Sequence, residues 1–329
     1  MNINEEKFQE LEIRRLGRTE MKPKSLGLGC GYLGNPKRPD QEAIATIRYA
    51  IEKGINFIDT SPEYGLSEYR VGLGLSDGFG LREKVYLQTK VGSHPKYLRD
   101  FSKKATMWSL ENSLNLLKTD YIDSVLIHGP RYDIEPALDD CLNVLIDWKS
   151  KGMIGHIGIG IRQHEFHRRA IETGEMDILL SFLDYTLISQ SLEKTTIPLS
   201  LKEDVGIILA GPLNGSLLAG PEPKINESTN DPKVKLPPSL VGGPTDPKIF
   251  PKAHKIWKWC NEERINIRDL AIQFVLNAPI NGNGIVLTGP SNKNEFEEVY
   301  KSATKKLPKI VWEKFEKKFD VSTLHIEDT

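Results

Sequence analysis

The chain has 329 residues, 44 basic and 45 acidic, so its formal net charge is −1, and neither nucleic acid nor an anionic membrane surface is an expected partner. Hydrophobic residues make up 39%, ordinary for a globular chain, and this length suits one large α/β barrel or two average domains. Cys30, Cys141 and Cys260 are odd in number and far apart, which speaks against a disulfide framework and for a reducing compartment, with the cytoplasm as the expected location.

The first seven residues carry Glu5 and Glu6 and no apolar run, unlike a secretory or transit peptide. No stretch approaches the roughly 18 uninterrupted apolar residues of a membrane-spanning helix. Residues 8–20 place Leu11, Ile13 and Leu16 at short alternating spacings before Gly17-Arg18-Thr19, which predicts a small N-terminal β-hairpin that caps or plugs the main fold. Strand-like and helix-like segments then alternate: 26–30 before 41–53, 55–59 before 67–75, and 85–90 before 103–117. The rhythm continues with 122–128 before 136–151, 154–159 before 163–173, and 178–183 before 190–201. Residues 205–210 form a seventh strand, followed by a long insertion, a helical stretch at 252–278, an eighth strand at 284–288 and a helix at 293–302. Eight such units predict a (β/α)8 TIM barrel, a single domain over 1–329; a doubly wound sheet is the alternative.

Residues 221–250 break this rhythm with seven prolines among glycines and polar residues. An insertion of this length after strand seven reads as a loop that covers a bound cofactor or substrate, the alternative being a plain mobile loop. The tail from Leu307, with Ile310, Val311, Trp312 and Phe315 at helical spacing, predicts a last helix.

Two motifs invite misreading. Gly29-Cys30-Gly31-Tyr32-Leu33-Gly34 fits the dinucleotide pattern G-x-G-x-x-G, but a true fingerprint opens a helix at its third glycine. Here Asn35-Pro36-Lys37-Arg38-Pro39 intervenes, so a glycine-rich strand-to-helix loop approached by ligand is the better reading. His164-Glu165-Phe166-His167 lacks the spacing of a helical zinc pair and reads as surface histidines.

In the barrel reading, strands two, three and four end on Asp59, Lys90 and His128, with Tyr64 on the loop after the first of them. Each has a plain alternative: Asp59 as a turn or helix-cap residue, Lys90 as a strand-end lysine, His128 as a satisfied turn histidine. Together they converge on one mouth and make a coherent acid–base centre. A phenol with a reference pKa of about 10 exchanges its proton poorly at neutral pH, and a neighbouring ammonium is expected to lower that value. Asp59 would keep Lys90 charged, and His128 would hydrogen-bond the substrate oxygen.

The stretches Gly27-Leu28-Gly29, Phe57 to Gly65, Gln88-Thr89-Lys90, Leu126-Ile127-His128 and Gly152 to Gly158 occur in an order that resembles the aldo-keto reductase superfamily from about Leu11 to Val299. The resemblance implies a barrel enzyme that binds a nicotinamide cofactor without a Rossmann domain, with Asp59, Tyr64, Lys90 and His128 as its catalytic tetrad. It further implies cofactor contacts at Gly29, Asp59, Ser181, Gly211, Pro212, Leu213, Gly289, Ser291, Glu295 and Glu298. Gly160-Ile161 stands where many members carry Ser-Asn, and Ala210-Gly211-Pro212-Leu213 lacks their nicotinamide-stacking tyrosine. The segments near 197–213 and 286–291 are most similar to the aldose 1-dehydrogenase branch, which oxidises C1 of L-galactose- or D-threo-aldose-type sugars to a lactone. A general NADPH-dependent aldehyde or ketone reductase is one alternative, and a cofactor-binding regulatory subunit is another. NADP-preferring relatives place a lysine and an arginine after strand eight where this chain has Gly289 and Glu295, so NAD is the expected cofactor, NADP remaining possible, with a sugar or carbonyl compound as the small-molecule substrate.

Overall fold

The computed structural model describes residues 9–76, 78, 80–224, 246–323 and 325–326. Eight short strands, β1 (Leu26–Gly29), β2 (Phe57–Asp59), β3 (Tyr86–Val91), β4 (Ile122–His128), β5 (Ile154–Gly160), β6 (Ile178–Phe182), β7 (Gly206–Ala210) and β8 (Gly284–Thr288), pair in parallel in sequence order. The ladder closes where β1 meets β8, with Leu26 level with Val286. Parallel strands need crossovers, and the apolar faces of the helices between them cover the outside of the barrel. These are α1 (Asp40–Glu52), α2 (Ser67–Leu75), α3 (Lys103–Leu117), α4 (Leu142–Ser150), α5 (His164–Glu172), α6 (Thr196–Lys202), α7 (Phe250–Glu263), α8 (Ile267–Leu276), α9 (Lys293–Thr304) and α10 (Lys309–Phe319). Among the described residues no helix is long and apolar enough to cross a membrane.

The interior is filled by side chains, as such barrels require. Phe57, Leu126, Ile178, Leu180, Ile208, Ile285 and Leu287 pack there, with Leu16 and Met21 entering from the N-terminal segment. That segment therefore plugs the barrel, but not as the expected hairpin: among the described residues, one antiparallel bridge, Ile13 to Lys24, is all it forms with itself. Pro23 has no N–H to extend a ladder, and the turn's own donors go to the barrel, Gly17 N to Asn283 Oδ1 at 2.5 Å and Arg18 N to Asp204 O at 2.8 Å. Gly17 has φ 58°, and a Cβ there would lie 2.1 Å from Gly206 N, so only glycine fits against β7.

Several boundaries differ from the sequence reading. The helix expected over 252–278 is two helices, because Arg264 adopts a left-handed conformation that ends α7 and Asn266 caps α8 by accepting from Arg268 N. The helix expected over 136–151 begins as a π-helical turn, Ala137–Cys141, and the one over 190–201 splits into Ser191–Lys194 and α6. The covering loop read at 221–250 lies outside the described residues over 225–245. All three cysteines are buried and free.

Candidate active site

Alternation along a strand sends every second residue inward. On β2 this selects Phe57 and Asp59, on β3 Gln88 and Lys90, and on β4 Ser124, Leu126 and His128. The register sets Asp59 level with Gln88, Gln88 with Ser124, and Lys90 with Leu126, so the polar members form a cluster at the carboxyl end of three adjacent strands. Lys90 Nζ donates to both carboxylate oxygens of Asp59, at 2.6 and 2.7 Å, and to Thr60 O at 2.7 Å. Gln88 Nε2 donates to Asp59 Oδ1 at 2.7 Å while its Oε1 accepts from Ser124 Oγ at 3.0 Å. Both ions are buried, and such a pair survives away from water only when its remaining groups are hydrogen-bonded, as they are here.

Tyr64 stands over this pair: Lys90 Nζ is 4.8 Å from its ring centre, close enough for the ammonium to act on the phenol's pKa. The turn carrying Tyr64 is held from behind by the β1–α1 loop. Leu66 N donates to Gly34 O at 2.9 Å, and a Cβ on Gly34 would fall 1.6 Å from Tyr64 O. The third glycine of the apparent dinucleotide motif is there to let this loop touch the tyrosine turn, and α1 starts only at Asp40. Buried Arg70 fixes the loop by donating to Leu33 O, Asn35 O, Arg38 O and Asp40 Oδ1.

His128 lies edge-on to Tyr64, ring centres 6.1 Å apart. Its Nδ1 meets Ser93 Oγ at 2.9 Å and Ser61 Oγ at 3.3 Å, leaving Nε2 as the nitrogen without a partner among the described residues. Burial, then the charges of Lys90 and Arg131, hold its pKa down at about 3, so the imidazole is neutral. Burial alone would lower Lys90, but Asp59 overcomes it and the ammonium is held above its usual range. For Tyr64 the balance is opposite to the expectation: burial pushes the phenol up, Lys90 draws it back only in part, and Asp59 opposes Lys90. The phenol is therefore protonated at neutral pH.

Among the expected cofactor contacts, Gly29, Gly211, Pro212, Leu213, Gly289 and Ser291 end or follow β1, β7 and β8 on the same rim. Gly211 has φ 72°, a conformation that favours glycine, and a Cβ on Gly289 would meet Tyr32 at 3.4 Å in ordinary contact; with no side chain at either position, a dinucleotide can approach the backbone. These residues fit the extended group. Ser181 does not face the interior: it alternates with inward Leu180 and Phe182, and its hydroxyl donates to Asp184 at 2.6 Å. Glu295 folds back over the N-terminus of α9, accepting from Ser291 N and Oγ, both at 2.8 Å, while the N-cap Asn292 accepts through Oδ1 from Glu295 N. Glu298 accepts from Arg268 at 2.5 Å, and Lys293 Nζ rests 4.0 Å over the Tyr49 ring.

Sequence reasoning missed Gln88, Ser93 and Ser61. Gln88 was findable, since two residues before Lys90 on a strand means the same face; the serines lie on turns where no such period applies. It also misjudged His167, which is buried, with Nε2 to Ile161 O at 3.0 Å and Nδ1 to Thr196 Oγ1 at 2.9 Å. A helical spacing of three had put it on the covered face beside His164. Beside the cluster opens a cavity of about 200 Å³, lined by Glu63, Ser93, Arg99, His128, Arg131 and Arg162 among others, small enough to suit a small substrate.

Residues 25–320 match the family model described as "Aldo/keto reductase family". L-galactose dehydrogenase of Arabidopsis thaliana is 29% identical over 298 residues, covering 88% of this chain and 87% of that protein. D-threo-aldose 1-dehydrogenase of a Pseudomonas species is 27% identical over 316 residues, 88% of this chain and 92% of its own length. D-arabinose 1-dehydrogenase of Saccharomyces cerevisiae is 26% identical, covering 83% of this chain and 80% of that protein. A solved Pseudomonas aeruginosa chain assigned to the aldo-keto reductases superposes with a TM-score of 0.66 at 23% identity, covering 91% of this chain and 98% of the other, which speaks to the fold.

Proposed function

Because this chain belongs to the aldo/keto reductase family and is an oxidoreductase, we propose that Asp59, Tyr64, Lys90 and His128 are its catalytic residues and that it oxidises C1 of an aldose to a lactone with NAD. The observation that carries the reading is a buried, carboxylate-held ammonium set 4.8 Å from the ring of half-buried Tyr64, beside a neutral imidazole. The nicotinamide, when bound, supplies the hydride acceptor in oxidation and the donor in reduction. Tyr64 exchanges the proton of the substrate oxygen, as acid in reduction and base in oxidation. Lys90 favours the phenolate by its charge, and Asp59 with Gln88 fixes where that ammonium sits. His128, held through Nδ1 by Ser93, offers Nε2 to the same oxygen and selects its position.

Support for an aldose comes from the names of three relatives, each a sugar dehydrogenase and two of them 1-dehydrogenases. Support for NAD comes from α9, whose N-terminus presents the Glu295 carboxylate where a 2′-phosphate would need a guanidinium. Lys293, the nearest candidate to answer a phosphate, is engaged over Tyr49. Reduction of an aldehyde or ketone with NADPH is the second reading, favoured by the protonated phenol.

The test is turnover of an aldose panel with NAD and NADP, read at the reduced nicotinamide band, in the parent and in Tyr64→Phe. Lactone formation with higher kcat/KM for NAD, and a loss of about 10² or more in Tyr64→Phe, is expected. A Tyr64→Phe protein as active as the parent would remove the tetrad; a parent that prefers NADP and only reduces carbonyls would transfer the assignment to the second reading.

A further inference from the structure

The mouth holds more positive charge than the proposed chemistry uses. Three arginines line the cavity beside His128, on three successive strand-to-helix loops: Arg99 after β3, Arg131 after β4 and Arg162 after β5. Arg162 is accounted for, since Asp184 accepts from its Nε at 3.1 Å and its Nη2 at 2.6 Å. Arg99 and Arg131 are not: no carboxylate pairs with either among the described residues. Among the described residues, the one acidic side chain lining the cavity, Glu63, instead lies 3.6 Å from His128 Nδ1. Arg131 is close enough for its charge to act on His128. Arg99 occupies a left-handed conformation, φ 58°, uncommon for a side chain of its size, with its N–H donating to Gly92 O at 2.9 Å.

The barrel order says what these guanidiniums can reach. In a closed ring of eight strands, the β3 and β4 loops stand opposite the β7 and β8 loops. A dinucleotide tail lying along Gly211, Pro212, Gly289 and Ser291 puts its phosphates across the mouth from Arg99 and Arg131. The two arginines then line the side of the mouth left to the substrate. Paired guanidinium forks match carboxylate and phosphate oxygens, and a partly enclosed cavity strengthens such contacts.

Resting on the oxidoreductase reading above, we propose that Arg99 and Arg131 form an anion subsite and that the substrate is a small sugar or carbonyl compound bearing a carboxylate or phosphate distal to the reacting carbon. The experiment compares kcat/KM within matched sets: D-galactose, D-galacturonate and D-galactose 6-phosphate in oxidation, butanal and succinic semialdehyde in reduction. The anionic member should be preferred by about tenfold or more, the preference should shrink as salt screens the contact, and the double variant Arg99→Gln/Arg131→Gln should abolish it. A uronate or semialdehyde preference without one for the sugar phosphate assigns a carboxylate, and the reverse assigns a phosphate. Equal efficiencies within every set, or a preference that the double variant retains, overturn the proposal and leave the oxidoreductase reading standing. Weaker NADH binding by the double variant, read by fluorescence titration, would assign the arginines to the cofactor and overturn it too. No turnover in these sets or in the aldose panel overturns the oxidoreductase reading and this proposal with it.

Discussion

In the proposed mechanism, the sign of the pKa shift at Tyr64 decides which direction of the reaction meets the resting enzyme ready. Burial holds the phenol above its ordinary value despite Lys90, so at neutral pH the residue can give a proton and must lose one before it can accept. Oxidation should therefore accelerate with rising pH without levelling off below about pH 10, while reduction stays level over the same range. His128, held at about 3, should add no limb near its ordinary value of about 6.5. Initial rates in both directions between pH 5 and 10 check this; an inflection near 6.5 in oxidation would show that the imidazole titrates in the working range. Lys90→Met should remove the charge that offsets burial and leave Asp59 buried without its ion, costing about 3–5 kcal/mol of stability as well as turnover. Urea unfolding beside kinetics separates the two losses, and a stability loss under about 1 kcal/mol would mean that Asp59 finds another partner. The convergence of Asp59, Lys90 and His128 was legible because apolar strands end there: Phe57-Ile58 runs into Asp59 and Val125-Leu126-Ile127 into His128, while Lys90 lies one residue before the end of β3. The direction of the Tyr64 shift was not, because it depends on how much apolar packing surrounds the phenol, and a sequence does not state that.

Between elements, the instructive contact is the β1–α1 loop against the turn after β2. Its glycines were read correctly as a loop rather than a dinucleotide cradle, because Pro36 and Pro39 delay the helix. What the sequence could not disclose is that Gly34 and Gly65 press against each other's backbone, since the two lie thirty-one positions apart and no local period links them. A Cβ at Gly34 would enter the space of the Tyr64 carbonyl, and at that distance backbone must shift. Gly34→Ala should therefore lower kcat by about tenfold or more through a displaced phenol, since small misplacements of reacting groups are costly. Circular dichroism and a cofactor titration should show a folded, binding-competent protein. Unchanged kcat would mean that the loop yields, not the tyrosine turn. The split of the long helix before β8 was hidden for a related reason: Asn266 looks like one more polar residue until the chain needs a cap there.

Over the whole barrel, the proposed chemistry and the ties that stabilise the fold occupy opposite ends. The carboxyl ends of the strands carry Asp59, Lys90 and His128, whereas the amino ends are tied together around Asp177, just before β6. That carboxylate accepts from Lys149 Nζ at 2.6 Å and from Ile157 N at 3.1 Å, and pairs with Arg18 of the N-terminal plug at 3.2 Å. The plug was foreseen, but its attachment was not, because Arg18 meets a residue 159 positions away and its partner is chosen by barrel closure. Burial raises the Asp177 pKa, yet the hydrogen bonds from His156, Lys149 and Ile157 N–H outweigh it and hold the group at about 2, below its ordinary 3.8. A depressed carboxylate stabilises the fold above its unfolded pKa and loses that contribution as pH falls toward the folded value. Asp177→Asn should then cost about 1–2 kcal/mol at pH 7, allowing for partial solvent screening, and the gap between variant and parent should narrow as pH falls from 4 toward 2. Because the site lies at the far end, kcat should be unchanged. Urea unfolding of both proteins at pH 7, 4 and 3, with kinetics at pH 7, tests all three statements. A gap that stays constant with pH would show that the carboxylate's charge is not what ties plug to barrel, and a fall in kcat would show that the two ends are coupled.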